Sequence, residues 1–138
     1  MRHLLLNLLA VAMVLSAVEA ARAEREPEDR KKADFVIVGM VKGVYSRDTG
    51  EYHHYIVEVR VDEVEKGRNF EAGGTFYVYC FDRKASAPIE PAMSGHAAPP
   101  KEGQRIKAFV KERKGKHEAI YPNWYDQLQP AGSKKTTR

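Results

Sequence analysis

The amino-acid sequence predicts an all-β fold, a single small barrel of five strands followed by a short C-terminal helical turn. Between residues 33 and 129, the apolar residues are mostly β-branched or aromatic and come in five short runs separated by turn residues. Some runs alternate apolar with polar residues, as expected for a strand with one face in water. Because closure removes the exposed edges of a sheet, five short strands are expected to form a closed barrel.

The first two predicted strands form a long hairpin. Residues 33–45 make the first strand and contain Gly39 in the interior, where a missing side chain commonly marks a bulge or a bend. Residues 46–51 include Asp48 and Gly50 and supply the turn. Residues 52–65 alternate valines with charged residues, which predicts a second strand with one face buried.

The next three runs complete the predicted barrel. Residues 74–82 are apolar or aromatic on both faces, which predicts a strand that is covered on both sides. Residues 104–113 alternate, and Lys114-Gly115 then offers a tight hairpin turn into a fifth strand at residues 116–121. Between the third and fourth strands, residues 83–103 contain four prolines and are either a functional loop or disordered.

Residues 123–129 are predicted to form the C-terminal helical turn, because Trp124 and Leu128 lie four positions apart. Trp124 has two interpretations. It belongs either to an aromatic platform that contacts a carbohydrate or to a plug that closes one end of the barrel.

A bent first strand and a long second strand suit the five-stranded oligonucleotide/oligosaccharide-binding (OB) barrel. Ala33-Asp34 followed by VIVG, and a strand that ends in VDEVEKG at residues 61–67, resemble the start of the netrin-like domains shared with tissue inhibitors of metalloproteinases. Small secreted bacterial proteins of unknown function have similar motifs. The resemblance implies an OB-type barrel. The animal inhibitors use a Cys-x-Cys wedge, whereas Cys80 is the only cysteine here.

The flanks of the barrel predict an exported protein. Residues 1–23 combine a basic start, an apolar run at 4–18 and an A-x-A cleavage site, which are typical of a secretory signal peptide. The apolar run is too short for a membrane span, so we expect a secreted or periplasmic protein. Residues 24–32 are predicted to be a flexible charged leader, and residues 130–138 a disordered basic tail.

The composition and motifs favour a binding module over an enzyme. The net charge is +4, and a single cysteine provides no disulfide framework within the chain. No serine stands in a G-x-S-x-G context, and no glycine-rich phosphate loop is present. We therefore expect no enzymatic activity and no cofactor.

A basic face on the fourth strand is the main candidate binding site. Its outward residues are Arg105, Lys107, Phe109, Lys111 and Arg113. Cations that flank an aromatic ring are typical of a surface that binds a polyanion. We expect an acidic polysaccharide, a lipid head group or an acidic protein as the partner, and export argues against nucleic acid. The alternative is a solvated strand whose lysines discourage edge pairing.

A metal-binding or redox protein is the alternative function. His96 lies in the long loop and Cys80 in the third strand, and imidazole with thiolate suits zinc or copper. The ligand spacing matches no recognised metal motif. A buried cysteine acting as a small apolar core residue is the competing interpretation of Cys80.

Overall fold

The computed structural model of the protein describes residues 25–85, 95–130 and 132. The predicted signal peptide, residues 86–94 of the long loop and most of the predicted tail lie outside the described residues. The described chain begins with one turn of 3-10 helix at Arg30–Lys32, and its strands are β1 (Phe35–Thr49), β2 (Tyr52–Lys66), β3 (Thr75–Arg83), β4 (Arg105–Arg113), β5 (Lys116–Ala119) and β6 (Tyr125–Leu128).

The first five strands form the predicted barrel. Their order around the sheet is β1-β2-β3-β5-β4, and β4 pairs back onto β1 to close it. The β3–β5 pair is parallel and the other pairs are antiparallel. The predicted closed, five-stranded, all-β barrel is therefore confirmed, with β6 as one extra strand beside β4.

Strand β1 pairs on both sides. It pairs with β2 from Val36 to Thr49 and with β4 from Phe35 to Met40. The register with β2 shifts between Val38 and Gly39, which confirms the irregularity predicted there. A side chain at Gly39 has no room, since a Cβ would lie 2.2 Å from the carbonyl oxygen of Arg60.

Alternate residues of the strands fill the barrel interior. The buried side chains from β1, β2, β3 and β4 are mostly valine, isoleucine and phenylalanine, and they include Ile37, Val41, Val57, Val59, Val61, Phe76, Val78, Ile106 and Val110. This inward-facing set follows the period of two that the sequence shows. Burial of these side chains supplies the main driving force for folding.

The predicted helical turn at residues 123–129 is wrong, because Tyr125–Leu128 forms strand β6. These four residues pair antiparallel with Arg105–Ala108 of β4. An isolated helix of one or two turns is only marginally stable, whereas the free side of β4 offers hydrogen bonds to an extended chain. In the described residues, the one helical turn precedes β1.

Residues 25–32, predicted to be a flexible leader, lie against the barrel instead, and we call them the N-terminal strap. The Glu28 amide donates to the carbonyl of Tyr121 at 2.7 Å. The Arg30 Nε donates to the carbonyl of Asn123 at 2.8 Å. The sequence correctly indicated that this segment buries little apolar surface, but polar contacts to a distant part of the chain hold it in place.

No helix in the part of the chain that the structure describes is long and apolar enough to cross a membrane.

Candidate ligand-binding face

The four cations predicted to form a basic face on β4 are paired with acidic side chains. The pairs are Arg105–Asp62 (3.6 Å), Lys107–Glu65 (2.5 Å), Lys111–Glu28 (3.7 Å), Arg113–Glu28 and Arg113–Glu118 (3.7 Å). The acids come from β2, β5 and the N-terminal strap. The outer face of β4 is therefore a network of opposite charges rather than a free cationic stripe.

Phe109, predicted to offer a stacking surface on β4, is covered by the strap. The guanidinium of Arg30 lies 4.5 Å from the ring centroid, and Arg30 also pairs with Asp126 at 2.8 Å. The Lys107 ammonium lies 5.9 Å from the same centroid. A ligand that stacks on Phe109 therefore has to displace Arg30.

Trp124, predicted to be either a platform or a plug, is fully buried in the barrel core. Its Nε1 donates to the carbonyl of Ala97 at 3.2 Å. Its ring meets that of Tyr125 edge-on at 4.7 Å between centroids. This position matches the plug, because a fully buried indole offers no surface to a carbohydrate.

Cys80 lies in the core, as expected for a small apolar residue. Burial raises the pKa of its thiol to about 12. The nucleophilic and metal-binding form of cysteine is the thiolate, which is scarce at neutral pH under these conditions.

His96 is buried, and the main chain engages both of its ring nitrogens. Nδ1 accepts from the Phe81 amide at 3.2 Å, and Nε2 lies 3.0 Å from the Ala119 carbonyl, which requires a proton on Nε2. This arrangement leaves no ring nitrogen for a metal ion. Among the described residues, no group of three or more His, Cys, Asp or Glu side chains is arranged to hold one. The metal or redox alternative therefore finds no support in the positions of Cys80 and His96.

The buried His96 is expected to make the protein less stable in mild acid. Burial lowers the pKa of His96 below its ordinary value of 6.5. As the pH falls through 6.5, His96 takes up a proton in the unfolded chain but not yet in the folded chain. The free energy of unfolding is therefore highest at neutral pH and falls on acidification. The slope that one such group contributes is at most about 1.4 kcal/mol per pH unit.

Urea denaturation of the wild type and of His96→Gln between pH 5 and 7.5 measures this contribution. The glutamine variant is expected to be less stable at pH 7.5 and to show a shallower loss of stability toward pH 5. Equal slopes for the two proteins would show that His96 is not the group responsible.

The outer surface of β1, β2 and β3 carries the large exposed apolar side chains of the described chain. Tyr45 is 58% exposed, Tyr77 52% and Ile56 39%. Strand register places Tyr45 beside Ile56, Ile56 beside Tyr79, and Glu58 beside Tyr77. We call these four residues (Tyr45, Ile56, Tyr77 and Tyr79) the aromatic face. A contiguous exposed apolar patch of this kind usually marks a binding surface.

A groove borders the aromatic face where β3 meets β5. The two strands share the register pair Tyr79–Glu118. The groove has a volume of about 740 Å³ and is lined by Ile56, Tyr77, Tyr79, Arg113, Lys114, Lys116, His117 and Glu118. We call it the barrel groove. Its lining combines apolar side chains of β2 and β3 with the mostly cationic β4–β5 hairpin.

The β4–β5 hairpin carries the free positive charge of the barrel groove. Lys114 and Gly115 form its turn with φ angles of 50° and 75°, as expected for the tight turn predicted from the sequence. Lys114 and Lys116 are exposed, and neither has an ion pair with a described residue. They are available to an anionic group of a ligand.

Hydroxyl and carboxylate groups lie between the apolar side chains of the aromatic face. The Tyr45 hydroxyl donates to Glu58 at 2.8 Å, and this hydrogen bond raises the pKa of Tyr45. The Tyr79 hydroxyl lies 2.7 Å from Nδ1 of His54, and burial raises the pKa of Tyr79. Both phenols therefore stay protonated at neutral pH and can donate or accept hydrogen bonds.

The sequence led us to expect that β3 is covered on both sides, which is wrong for Tyr77. The inward residues of β3 are Phe76, Val78 and Cys80, and the intervening tyrosines point outward. The residue type could have indicated that these positions face outward, because a tyrosine hydroxyl needs water or a hydrogen-bond partner. Strict alternation of tyrosine with smaller apolar residues distinguishes this strand from one that is buried on both faces.

No protein-family model matches the chain, and no curated protein matches it. Function is therefore inferred from the geometry and chemistry of the site.

Proposed function

We propose that the protein is a non-enzymatic module that binds an acidic glycan along the aromatic face and the barrel groove. The observation that carries this proposal is that Lys114 and Lys116, which form no ion pair with a described residue, line the same groove as Tyr77 and Tyr79. Tyrosine rings supply large, rigid contact areas, and the lysines supply charge for carboxylate or sulfate groups.

An acidic glycan fits this surface better than a nucleic acid. Glu58 lies beside Tyr77, and Glu118 lines the barrel groove. These carboxylates can accept hydrogen bonds from sugar hydroxyls. DNA has no free hydroxyl along its strand and RNA has one per nucleotide, whereas every residue of a glycan has several that can donate to these acceptors.

The acidic polysaccharide expected from the sequence is thus kept as the ligand class, but its proposed site moves from β4 to the neighbouring strands. The cations of β4 are engaged by acids of the barrel and the strap, whereas Lys114 and Lys116 are not. Export remains a proposal from the sequence of residues 1–23, and secretion or a periplasmic location is compatible with a polysaccharide ligand.

Reversing the two free charges tests the proposal. We expect the double variant Lys114→Glu/Lys116→Glu to bind oligogalacturonate and heparin about tenfold more weakly than the wild type, because two attractions become two repulsions. Isothermal titration calorimetry measures the affinity. Tyr77→Ala is expected to weaken binding as well, and to do so equally at low and high salt, since it removes contact area and no charge.

The matched control is Lys42→Glu/Lys101→Glu. It changes the net charge by the same amount at two exposed positions that do not line the barrel groove. Equal losses in both double variants would show non-specific attraction, and wild-type affinity in Lys114→Glu/Lys116→Glu would overturn the proposal. Tighter binding of an oligothymidylate of matched charge would indicate a nucleic-acid ligand instead.

A further inference from the structure

Glu28 of the N-terminal strap occupies a cluster of cations on the outside of the barrel. Its Oε1 lies 3.2 Å from the Arg25 guanidinium and 3.7 Å from the Lys111 ammonium, and it also pairs with Arg113. Its Oε2 accepts from the Tyr121 amide at 2.9 Å. Burial opposes ionisation, but the Tyr121 amide and the cations outweigh it and lower the pKa of Glu28. This is a built site for a carboxylate.

The cation cluster adjoins the barrel groove. Arg113 lines the groove and also pairs with Glu28. Lys111 is in register with Glu118, and Glu118 with Tyr79, so a single row of neighbouring residues joins the cluster to the aromatic face. At roughly 4.8 Å between strands, Lys111 lies about 10 Å along the sheet from Tyr79. A chain-like ligand can span both places.

We propose that the barrel groups of this cluster, Lys111, Arg113 and the Tyr121 amide, form a carboxylate-binding subsite of the barrel groove, and that Glu28 of the strap fills it in place of an acidic group of the ligand. The inference rests on the proposed glycan-binding function. The strap then competes with the ligand for Lys111 and Arg113. An acidic glycan that displaces the strap gains Lys111 and a share of Arg113, which also pairs with Glu118.

The contacts of the strap allow it to be displaced from the barrel surface without unfolding the barrel. None of residues 25–32 is buried, whereas Ala33, which follows, is fully buried. The side chains of the strap are held mainly by ion pairs and hydrogen bonds rather than by apolar packing. Displacement up to Ala33 therefore leaves the hydrophobic core intact.

Neutralising Glu28 tests the competition. We expect Glu28→Gln to bind oligogalacturonate about three- to tenfold more tightly than the wild type, because the amide keeps its size but no longer competes as an anion. Glu26→Gln is the matched control, since it removes the same charge from an exposed strap position that is not among the ion-pair partners of Lys111 and Arg113. It is expected to bind within twofold of the wild type.

The effect of replacing Lys111 distinguishes competition between strap and ligand from a general effect of net charge. In the wild type, where Glu28 engages the Lys111 ammonium, Lys111→Gln is expected to have little effect on the affinity for oligogalacturonate. In the Glu28→Gln background, it is expected to remove most of the increase in affinity. Equal effects of Lys111→Gln in both backgrounds would overturn the proposal.

Hydrogen exchange of the wild type gives a readout that needs no variant. Saturating oligogalacturonate is expected to speed exchange at the Glu28 amide, which is bonded to the Tyr121 carbonyl when the strap is docked. Unchanged or slower exchange at this amide, with binding that still depends on Lys114 and Lys116, would overturn the strap proposal and leave the proposed function standing. If neither the wild type nor Glu28→Gln binds any acidic glycan probe, both proposals fail.

Discussion

Replacing Trp124 with alanine is expected to lower the free energy of unfolding by about 3–5 kcal/mol, the usual cost of truncating a large buried aromatic side chain. Trp124 is 0% exposed and is among the largest fully buried side chains of the described chain. The truncation leaves a cavity and also removes the donor to the Ala97 carbonyl. Because small domains have only about 5–15 kcal/mol of stability, this variant is expected to approach the unfolding threshold.

Chemical denaturation at neutral pH measures this change. Trp124→Phe is the matched variant, since it keeps an aromatic ring but has no Nε1–H, and it is expected to lose less stability than the alanine variant. A loss below 1 kcal/mol for Trp124→Ala, accompanied by weaker glycan binding, would contradict the plug and restore the platform interpretation.

The strands could be predicted because their signals are local. Alternation along residues 52–65 predicts β2 to within one residue of Tyr52–Lys66, and Lys114-Gly115 predicts the β4–β5 turn. The C-terminal strand could not be predicted in this way. A spacing of four between Trp124 and Leu128 is compatible with a helical turn. The segment is extended instead because it pairs with β4, which lies earlier in the chain.

The candidate site was only partly predictable because its electrostatics depend on residues far apart in sequence. The basic residues of β4 are visible in the sequence, but their partners are not. Arg113 meets Glu28, which lies 85 positions earlier, and Lys107 meets Glu65 of β2. The barrel groove depends on the β3–β5 pairing, which brings Tyr77 and Tyr79 into one groove with the hairpin lysines. No local pattern encodes that pairing.

Two glycines of β1 are expected to differ strongly in their response to the same added methyl group. At Gly39, a Cβ would lie 2.2 Å from the Arg60 carbonyl oxygen and 2.8 Å from a methyl carbon of Val59. Relief of this clash requires β1 and β2 to separate at the register shift beside Gly39, where β1 also pairs with β4. We expect Gly39→Ala to lower the free energy of unfolding by about 3 kcal/mol, at the upper end of the usual cost of overpacking.

Gly43→Ala is the matched control in the same strand. The three atoms nearest to a Cβ at Gly43 would lie at the outer end of the Tyr45 side chain, at 3.0–3.2 Å, and that exposed side chain can move aside. The loss of chain entropy on folding is smaller for alanine than for glycine, which offsets the adjustment, so we expect a change within about 1 kcal/mol. Denaturation curves of the two variants measure the difference. Comparable stability of both would show that the backbone of β1 is not tightly constrained at Gly39.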